Sequence, residues 1–287
     1  MAKLVIPDAL KADVPANRWG KILTATPIIM TVVATALAGL ASSEMTRAQY
    51  SRSLAAQQQS KAGDQWGFFQ AKRLRGALQR NTLDILQSTT EVRPLEISGA
   101  EPKVLAALQR GQLPEIGPAP VIEPKLQAAL EAIENSKPAE QISPLIAQVK
   151  EQTFENALRA LKDRAEAFDA ATKPVNQAIE RLESQTADRR DFIAARLRYT
   201  ANRYDAEARL NQDIANLYEV QVRKSNLDAE RHHNRSQRFF LGMLAAQAAV
   251  IISTFSLAAQ KRSLLWSLAA AAGAAAISFA VYVYLFV

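Results

Sequence analysis

The sequence predicts an all-α membrane protein: one amino-terminal transmembrane helix, a carboxy-terminal hairpin of two more, and between them a long antiparallel helical stalk bearing a proline-rich helical cap. Three observations predict it. Three apolar segments, Ile22 to Ala41, Phe239 to Ala259 and Leu264 to Val287, contain no Asp, Glu, Lys, Arg or His. Each meets the roughly 20 residues that a helix needs to cross the hydrocarbon core. Eight of the twelve prolines lie between Pro94 and Pro144, whereas Ser42 to Ser88 and Val175 to Arg238 have none. Those proline-free stretches are rich in Ala, Gln, Arg, Glu and Leu, side chains that lose little rotamer freedom in a helix.

Residues 1–21 form a polar tail and residues 22–41 the first span. The tail is long for the charged region of a signal peptide and the apolar run is long for its core, so the span is expected to be retained. Residues 42–88 read as the first stalk helix. Residues 89–143 are the proline-rich insert, in which Arg93-Pro94, Glu101-Pro102, Leu113-Pro114, Gly117-Pro118 and Ala119-Pro120 push the chain extended before each proline. Two amphipathic runs, Lys103 to Gln109 and Pro124 to Glu134, predict short helices within it. A cap helix is expected over 144–173, with Ser143 as its cap and Pro144 in its first turn, and Pro174 is expected to break it. The second stalk helix then covers 175–238. Its stripe of Ile179, Leu182, Ile193, Leu197, Tyr204, Ala208, Ile214, Leu217 and Tyr218 is interrupted by Arg189, Arg203, Asn211 and Gln221, a pattern for packing in a wet bundle or oligomer and not a uniform zipper. Asp205 and Arg209 stand in the favourable i, i+4 order for an ion pair. The spans at 239–259 and 264–287 are separated only by Gln260, Lys261, Arg262 and Ser263, which predicts a tight hairpin turning at the membrane surface.

Three spans place the amino terminus and the Gln260–Ser263 turn on one side of the membrane and the large polar region on the other. Trp19 and Trp266 fall at the turn-side interface, and Phe239, Phe240, Tyr282 and Tyr284 at the opposite one, as aromatic belts predict. Lys3, Lys11, Arg18, Lys21, Lys261 and Arg262 lie on the turn side. Against these six, the domain side carries eight near the spans: Arg47, Arg52, Lys61, Arg223, Lys224, Arg231, Arg235 and Arg238. The count leans toward a cytoplasmic domain. The absence of cysteine suits a reducing and an oxidising compartment equally.

The most specific local feature is Asp64-Gln65-Trp66-Gly67-Phe68-Phe69-Gln70-Ala71-Lys72. Trp66 and Phe69 share a helix face at i, i+3, close to Ala62 and Arg73. The segment resembles the aspartate-glutamine-tryptophan, aromatic, glutamine-alanine-lysine signature of the bacterial domain-of-unknown-function family 4337 (DUF4337). The resemblance rests on Asp64, Gln65, Trp66, Phe69, Gln70, Ala71 and Lys72, and on Asp228-Ala229-Glu230-Arg231-His232-His233 leading into Phe239. It implies one amino-terminal span, a helical middle and a carboxy-terminal hairpin in a bacterial inner membrane, and it covers the Pro94 to Pro144 insert poorly. It carries no activity.

Physically, Trp66 and Phe69 offer a large apolar area, and Asp64, Gln65, Gln70 and Lys72 can bond to a facing helix, so the patch is expected to lock helices together. Lys72, Arg73, Arg75 and Arg80 read as a solvated face and not as a nucleic-acid surface: residues 42–238 balance 29 basic against 26 acidic side chains and hold no nucleic-acid-binding motif. No P-loop, dinucleotide fingerprint, nucleophile elbow or HExxH motif is present. No catalytic, cofactor or metal residue is therefore expected, and the chain is expected not to be an enzyme. His232 and His233 are adjacent and point about 100° apart on a helix; with Arg231, Arg235 and Arg238 they are candidates for lipid-headgroup contact. The spans lack the ionisable residues that transport pathways carry. Thr35 with Gly39, and Ala269, Ala272, Gly273 and Ala276, stand at spacings that let helices approach closely in lipid, within or between subunits. The expected function is a non-enzymatic, oligomeric membrane scaffold, in contact with lipid and with protein partners through stalk or cap. The alternatives are an oligomeric permeation pathway and an accessory subunit of a larger membrane complex.

Overall fold

The computed structural model describes residues 18–97, 101–186, 189–258 and 262–286. The polar tail up to residue 17, the tip of the hairpin turn including Gln260, and the side chain of Trp19 lie outside the described residues. Among those described, seven helices and no strand are present: α1 (Arg18–Thr89), α2 (Pro102–Arg110), α3 (Pro124–Glu134), α4 (Ala139–Ala147), α5 (Glu151–Thr186), α6 (Arg190–Ala258) and α7 (Arg262–Phe286). Three of them, α1, α6 and α7, hold segments long and apolar enough to cross a membrane. The chain divides into two compact units, Met1–Ser53 with Asn226–Val287, and Leu54–Ser225.

In the first unit, Ala34, Leu37 and Ala41 of α1, Phe239 and Ala246 of α6, and Ala276 and Val283 of α7 form a buried cluster. Small side chains set its spacing. A Cβ on Gly242 would stand 3.4 Å from Leu37, and one on Gly273 would collide with the Met30 thioether. Ala269 and Ala276 are fully buried beside it. Thr35 and Gly39 do not join this packing. Both are exposed, Thr35 donates to the Thr31 carbonyl of its own helix at 2.9 Å, and nothing lies within 4 Å of a Cβ on Gly39. The inner face of α1 belongs instead to Ala34, Leu37 and Ala41, because the helical turn that brings Leu37 against Gly242 rotates Thr35 and Gly39 outward.

The second unit is built on two clusters. Leu95, Val104, Ala107, Leu108, Val175, Ile179, Phe192, Ala195 and Tyr199 form the larger; Leu83, Ala194 and Leu197 form the smaller. The short helices start where the sequence places them, because Pro102 and Pro124 occupy first-turn positions that need no N–H. Gly111 ends α2 in the left-handed conformation, φ 64°. A Cβ there would stand 2.7 Å from Asn202 Nδ2 and 3.1 Å from Arg198 Cγ, while the Gly111 carbonyl accepts from Asn202 Nδ2 at 2.9 Å. Gly111→Ala is therefore expected to destabilise this unit by about 1–3 kcal/mol, combining left-handed strain with displacement of Asn202. Chemical denaturation followed by circular dichroism checks it; a loss below about 0.5 kcal/mol would contradict the reading.

The helix boundaries around the prolines differ from the sequence expectation. Pro144 lies inside α4, and Ser143 donates to the Ala139 carbonyl at 2.8 Å without capping a helix start. The chain turns at Gln148–Val149 before α5 begins at Glu151, a turn that lets Ile142, Ile146 and Val149 all be buried. Pro174 does not break the next helix; α5 runs through it to Thr186. An interior proline costs about 3 kcal/mol, but Phe168 and Thr172 before it and Val175 and Ile179 after it are all buried. Each buried apolar side chain returns about 1.5–3 kcal/mol, so packing on both sides of the proline outweighs its cost. α5 ends at Thr186 and α6 begins at Arg190, with Arg189 just before it. There Arg189 hydrogen-bonds the Asp191 carboxylate and the Glu96 carbonyl, and its guanidinium holds that carboxyl below the usual range against the opposing effect of desolvation. Ile179 and Leu182 consequently belong to α5, and the remainder of the expected stripe to α6.

Candidate interaction site

The aromatic signature sits on α1 in the second unit and faces α6. Ala62, one turn before it, is buried, and its small side chain lets the helices come close at this level. Trp66 is half-buried and its indole N–H donates to Glu219 Oε1 at 2.7 Å. Phe69 packs edge-on to Trp66, ring centroids 5.2 Å apart and planes at 85°, the T-shaped geometry that the ring quadrupoles favour. Lys72 pairs with Glu207 and lies 5.5 Å from the centre of the Tyr204 ring. Arg73 stacks over Phe69 at 5.6 Å. Asp64 and Gln70 are exposed and Gln65 is half-buried.

Around this patch the two helices are linked by charge. Glu207 is shared by Lys72 and by Arg203, whose Nε lies 3.3 Å away; Arg203 also covers the Tyr204 ring at 4.9 Å. Asp205 pairs with Arg80 of α1. The sequence pairs Asp205 with Arg209 on local spacing, but the facing helix brings Arg80 to it, and Arg209 lies exposed on the rim of a groove. Gly76 makes the approach possible: a Cβ there would stand 2.9 Å from Asp205 Oδ1 and 3.5 Å from the Ala201 carbonyl. Further along, Ser225 donates to Gln58 Oε1 at 2.8 Å, both side chains buried. Sequence reasoning finds the α1 half of this network and misses Tyr204, Glu207 and Glu219 as its partners. Their only local signal is a run of acids beside aromatics on α6.

Beside Trp66 a groove of about 670 Å³ is lined by Ile133, Glu134, Arg209, Gln212, Asp213, Asn216 and Glu219. Asn216 donates to Glu134 Oε1 at 2.9 Å. Desolvation pushes the Asp213 carboxyl up, Glu134 adds to the shift, and Arg164 opposes it. The groove is acidic, but among the described residues no group of three or more His, Cys, Asp or Glu side chains could hold a metal ion.

The histidine and arginine turn lies in the first unit. His232 is directed at α1, its Nδ1 2.6 Å from Glu44 Oε2, and Glu44, itself buried, also receives Arg47 at 3.3 Å. Ser236 donates to the Ala41 carbonyl at 2.7 Å. His233 points elsewhere, accepting from the Gln237 amide at 3.0 Å, and lines a mostly apolar groove of about 680 Å³ with Ala38, Met45, Phe240 and Leu241. The structure thus separates the two histidines. Arg231 is exposed, and Arg235 and Arg238 are half-buried. At the other end of the spans Trp266 donates to Thr26 Oγ1 at 3.2 Å.

Together these features define a protein that is all-helical among the described residues, with three helices long and apolar enough to cross a membrane and, between the polar stretches of two of them, α1 and α6, an aromatic and ionic network. The family model described as Domain of unknown function (DUF4337) matches residues 19–110, about a third of the chain, which supports the resemblance read from the signature over that segment. The match takes in the first span, the whole signature and α2. It ends at Arg110; Asp228 to His233 and the carboxy-terminal hairpin lie beyond it. No curated protein and no solved structure matches the chain.

Proposed function

We propose that the protein is a non-enzymatic, oligomeric membrane scaffold, multi-pass in a bacterial inner membrane, whose helical region acts through protein contacts on the cytoplasmic side. In this reading α1 and α6 of the second unit form an antiparallel stalk, and α2 to α5 are its cap. One observation carries it: Trp66 and Lys72 of the signature, with Gln58 before it and Arg80 after it, are committed to a second helix of the same chain. Gln58 meets Ser225, Trp66 meets Glu219, Lys72 meets Glu207 and Arg80 meets Asp205. The α6 numbers fall as the α1 numbers rise, as in an antiparallel pair. Residues held in this way set helix register.

The permeation reading gains less support. Thr26, Thr31, Thr35 and Thr254 each donate to the carbonyl four residues back, and Ser253 to the one three back, so these hydroxyls serve their own helices. Size-exclusion chromatography with light scattering in mild detergent tests the proposal. A defined assembly of more than one copy is expected, and a monodisperse monomer would overturn it. Affinity purification at endogenous level separates self-assembly from an accessory role, in which a foreign partner would co-purify in fixed stoichiometry.

A further inference from the structure

We propose that the groove between α1 and α6 in the first unit holds one acyl chain of a membrane phospholipid, with an ester or phosphate oxygen of that lipid accepting a hydrogen bond from His233. The proposal rests on the membrane reading above and adds a bound lipid at a defined place. The groove encloses about 680 Å³, inside the roughly 300–1,000 Å³ range of small-molecule sites. A mismatch of side-chain size creates it. Ser236 donates to the Ala41 carbonyl at 2.7 Å and holds the two helices together here, while Ala38, Ala41 and Ser42 are too small to fill the space that Phe240 and Leu241 border.

The order of polarity along the groove selects a lipid as the occupant. Ala38 belongs to the apolar stretch 22–41, and Phe240, Leu241 and Met243 to the stretch 239–259. Ser42, Met45, His233 and Gln237 lie just beyond those stretches, toward the polar part of each helix. One end of the groove is therefore hydrocarbon-like and the other carries hydrogen-bonding groups, the order of a phospholipid from chain to ester and phosphate. Phe240 and Leu241 are 50% and 57% exposed, so the apolar end lies open to a chain arriving from the bilayer. Met45 and Met243 are unbranched and adaptable, which suits contact with a flexible chain.

His233 gives an independent sign of a ligand. The side-chain amide nitrogen of Gln237 can only donate, and it lies 3.0 Å from His233 Nε2. Nε2 is therefore the acceptor, and the ring N–H is at Nδ1. That Nδ1 is buried and has no hydrogen-bond partner among the described residues. A buried donor without an acceptor is costly, and no Asp or Glu lines the groove to provide one. Ester and phosphate oxygens are acceptors, and the exposed Ser42 hydroxyl and Gln237 amide stand in the same groove to bond others. His232 is not available for this part, because its Nδ1 lies 2.6 Å from Glu44 Oε2.

Photolabelling tests the site. Vesicles of phosphatidylethanolamine and phosphatidylglycerol holding the full chain are doped with a phospholipid whose acyl chain carries a diazirine, and labelled residues are located by peptide mass spectrometry. Ala38, Met45, Phe240 and Leu241 are expected to take label at roughly five times the level of Leu40 and Val281. Those two are exposed apolar positions outside the groove, near the same end of the spans, since Ala41 and Val283 share a buried cluster. Ala38 is half-exposed and lies outside that cluster, so Ala38→Trp fills the groove and is expected to bring label at Met45, Phe240 and Leu241 down to the control level. His233→Phe keeps a ring and removes the N–H; it is expected to lower groove labelling about threefold with Leu40 and Val281 unchanged. Equal labelling of groove and control positions in the natural protein, or label at the controls with none in the groove because another protein segment fills it, would overturn the lipid site and leave the membrane reading standing. No label at any of these positions would overturn both. Groove labelling unaffected by His233→Phe would overturn the part assigned to its N–H.

Discussion

Trp66→Ala is expected to lower the stability of the unit formed by residues 54–225 by about 2–4 kcal/mol. Three losses add. The half-buried indole removes apolar area worth about 25 cal/mol per Å². The edge-on contact with Phe69 contributes about 0.5–1.5 kcal/mol beyond area. The 2.7 Å bond to the Glu219 carboxylate is a charge-assisted hydrogen bond of about 1.5–3 kcal/mol. The sum is discounted because Glu219 is only partly buried and water can replace the indole N–H. Trp66→Phe keeps a ring against Phe69 and loses the bond, so it is expected to cost about 1 kcal/mol. Thermal unfolding in detergent resolves the two, since 1 kcal/mol moves the midpoint by about 2–4 °C in a region of this size. If Trp66→Ala and Trp66→Phe shift the midpoint equally, the ring packing contributes nothing and the hydrogen bond alone holds the patch.

How far the sequence reaches follows from which interactions are local. The three apolar helical stretches were legible because about twenty apolar residues without a charge form a helix long enough to cross a membrane. The α2 and α3 starts were legible because Pro102 and Pro124 act within their own first turn. Trp66 and Phe69 were legible as a packed pair because i, i+3 neighbours share a face by helix geometry alone. Everything that depends on the facing helix was hidden. Nothing near Trp66 in sequence points to Glu219, which stands 153 residues away, and the choice of Arg80 over Arg209 as partner of Asp205 is made by the approach that Gly76 permits. Pro174 shows the same limit from the other side. Its local rule is correct, and burial of Val175 and Ile179 overrides it. In the spans, a four-residue spacing of small side chains marks a surface capable of close approach but not which of several such surfaces is used, so Ala34, Leu37 and Ala41 take the place inside the chain that Thr35 and Gly39 also fit by spacing.

Tyr199→Ala is expected to produce the largest loss, about 3–5 kcal/mol, because it empties a fully buried aromatic position. Tyr199 lies in the cluster that joins α2, α5 and α6 to Leu95, with Leu108, Val175, Ile179 and Phe192. Tyr199→Phe keeps the ring and gives up only the 3.2 Å bond to Asn176 Oδ1, a change of about 1 kcal/mol. The hydroxyl also gives a pH signature. Burial, with a smaller contribution from Glu207 and against the pull of Arg203, pushes its pKa from 10.0 up to about 12. Below pH 10 the phenol is protonated in both folded and unfolded chains and its contribution to stability is constant. Between 10 and 12 the unfolded chain releases the proton first, so stability falls as pH rises through that window. The natural protein is therefore expected to lose stability more steeply between pH 10 and 12 than Tyr199→Phe, measured by denaturant midpoints across that range. Parallel pH profiles for the two would show that the Tyr199 hydroxyl is open to solvent, and the cluster it helps to close would then have to be loosely packed at the junction of α5 and α6.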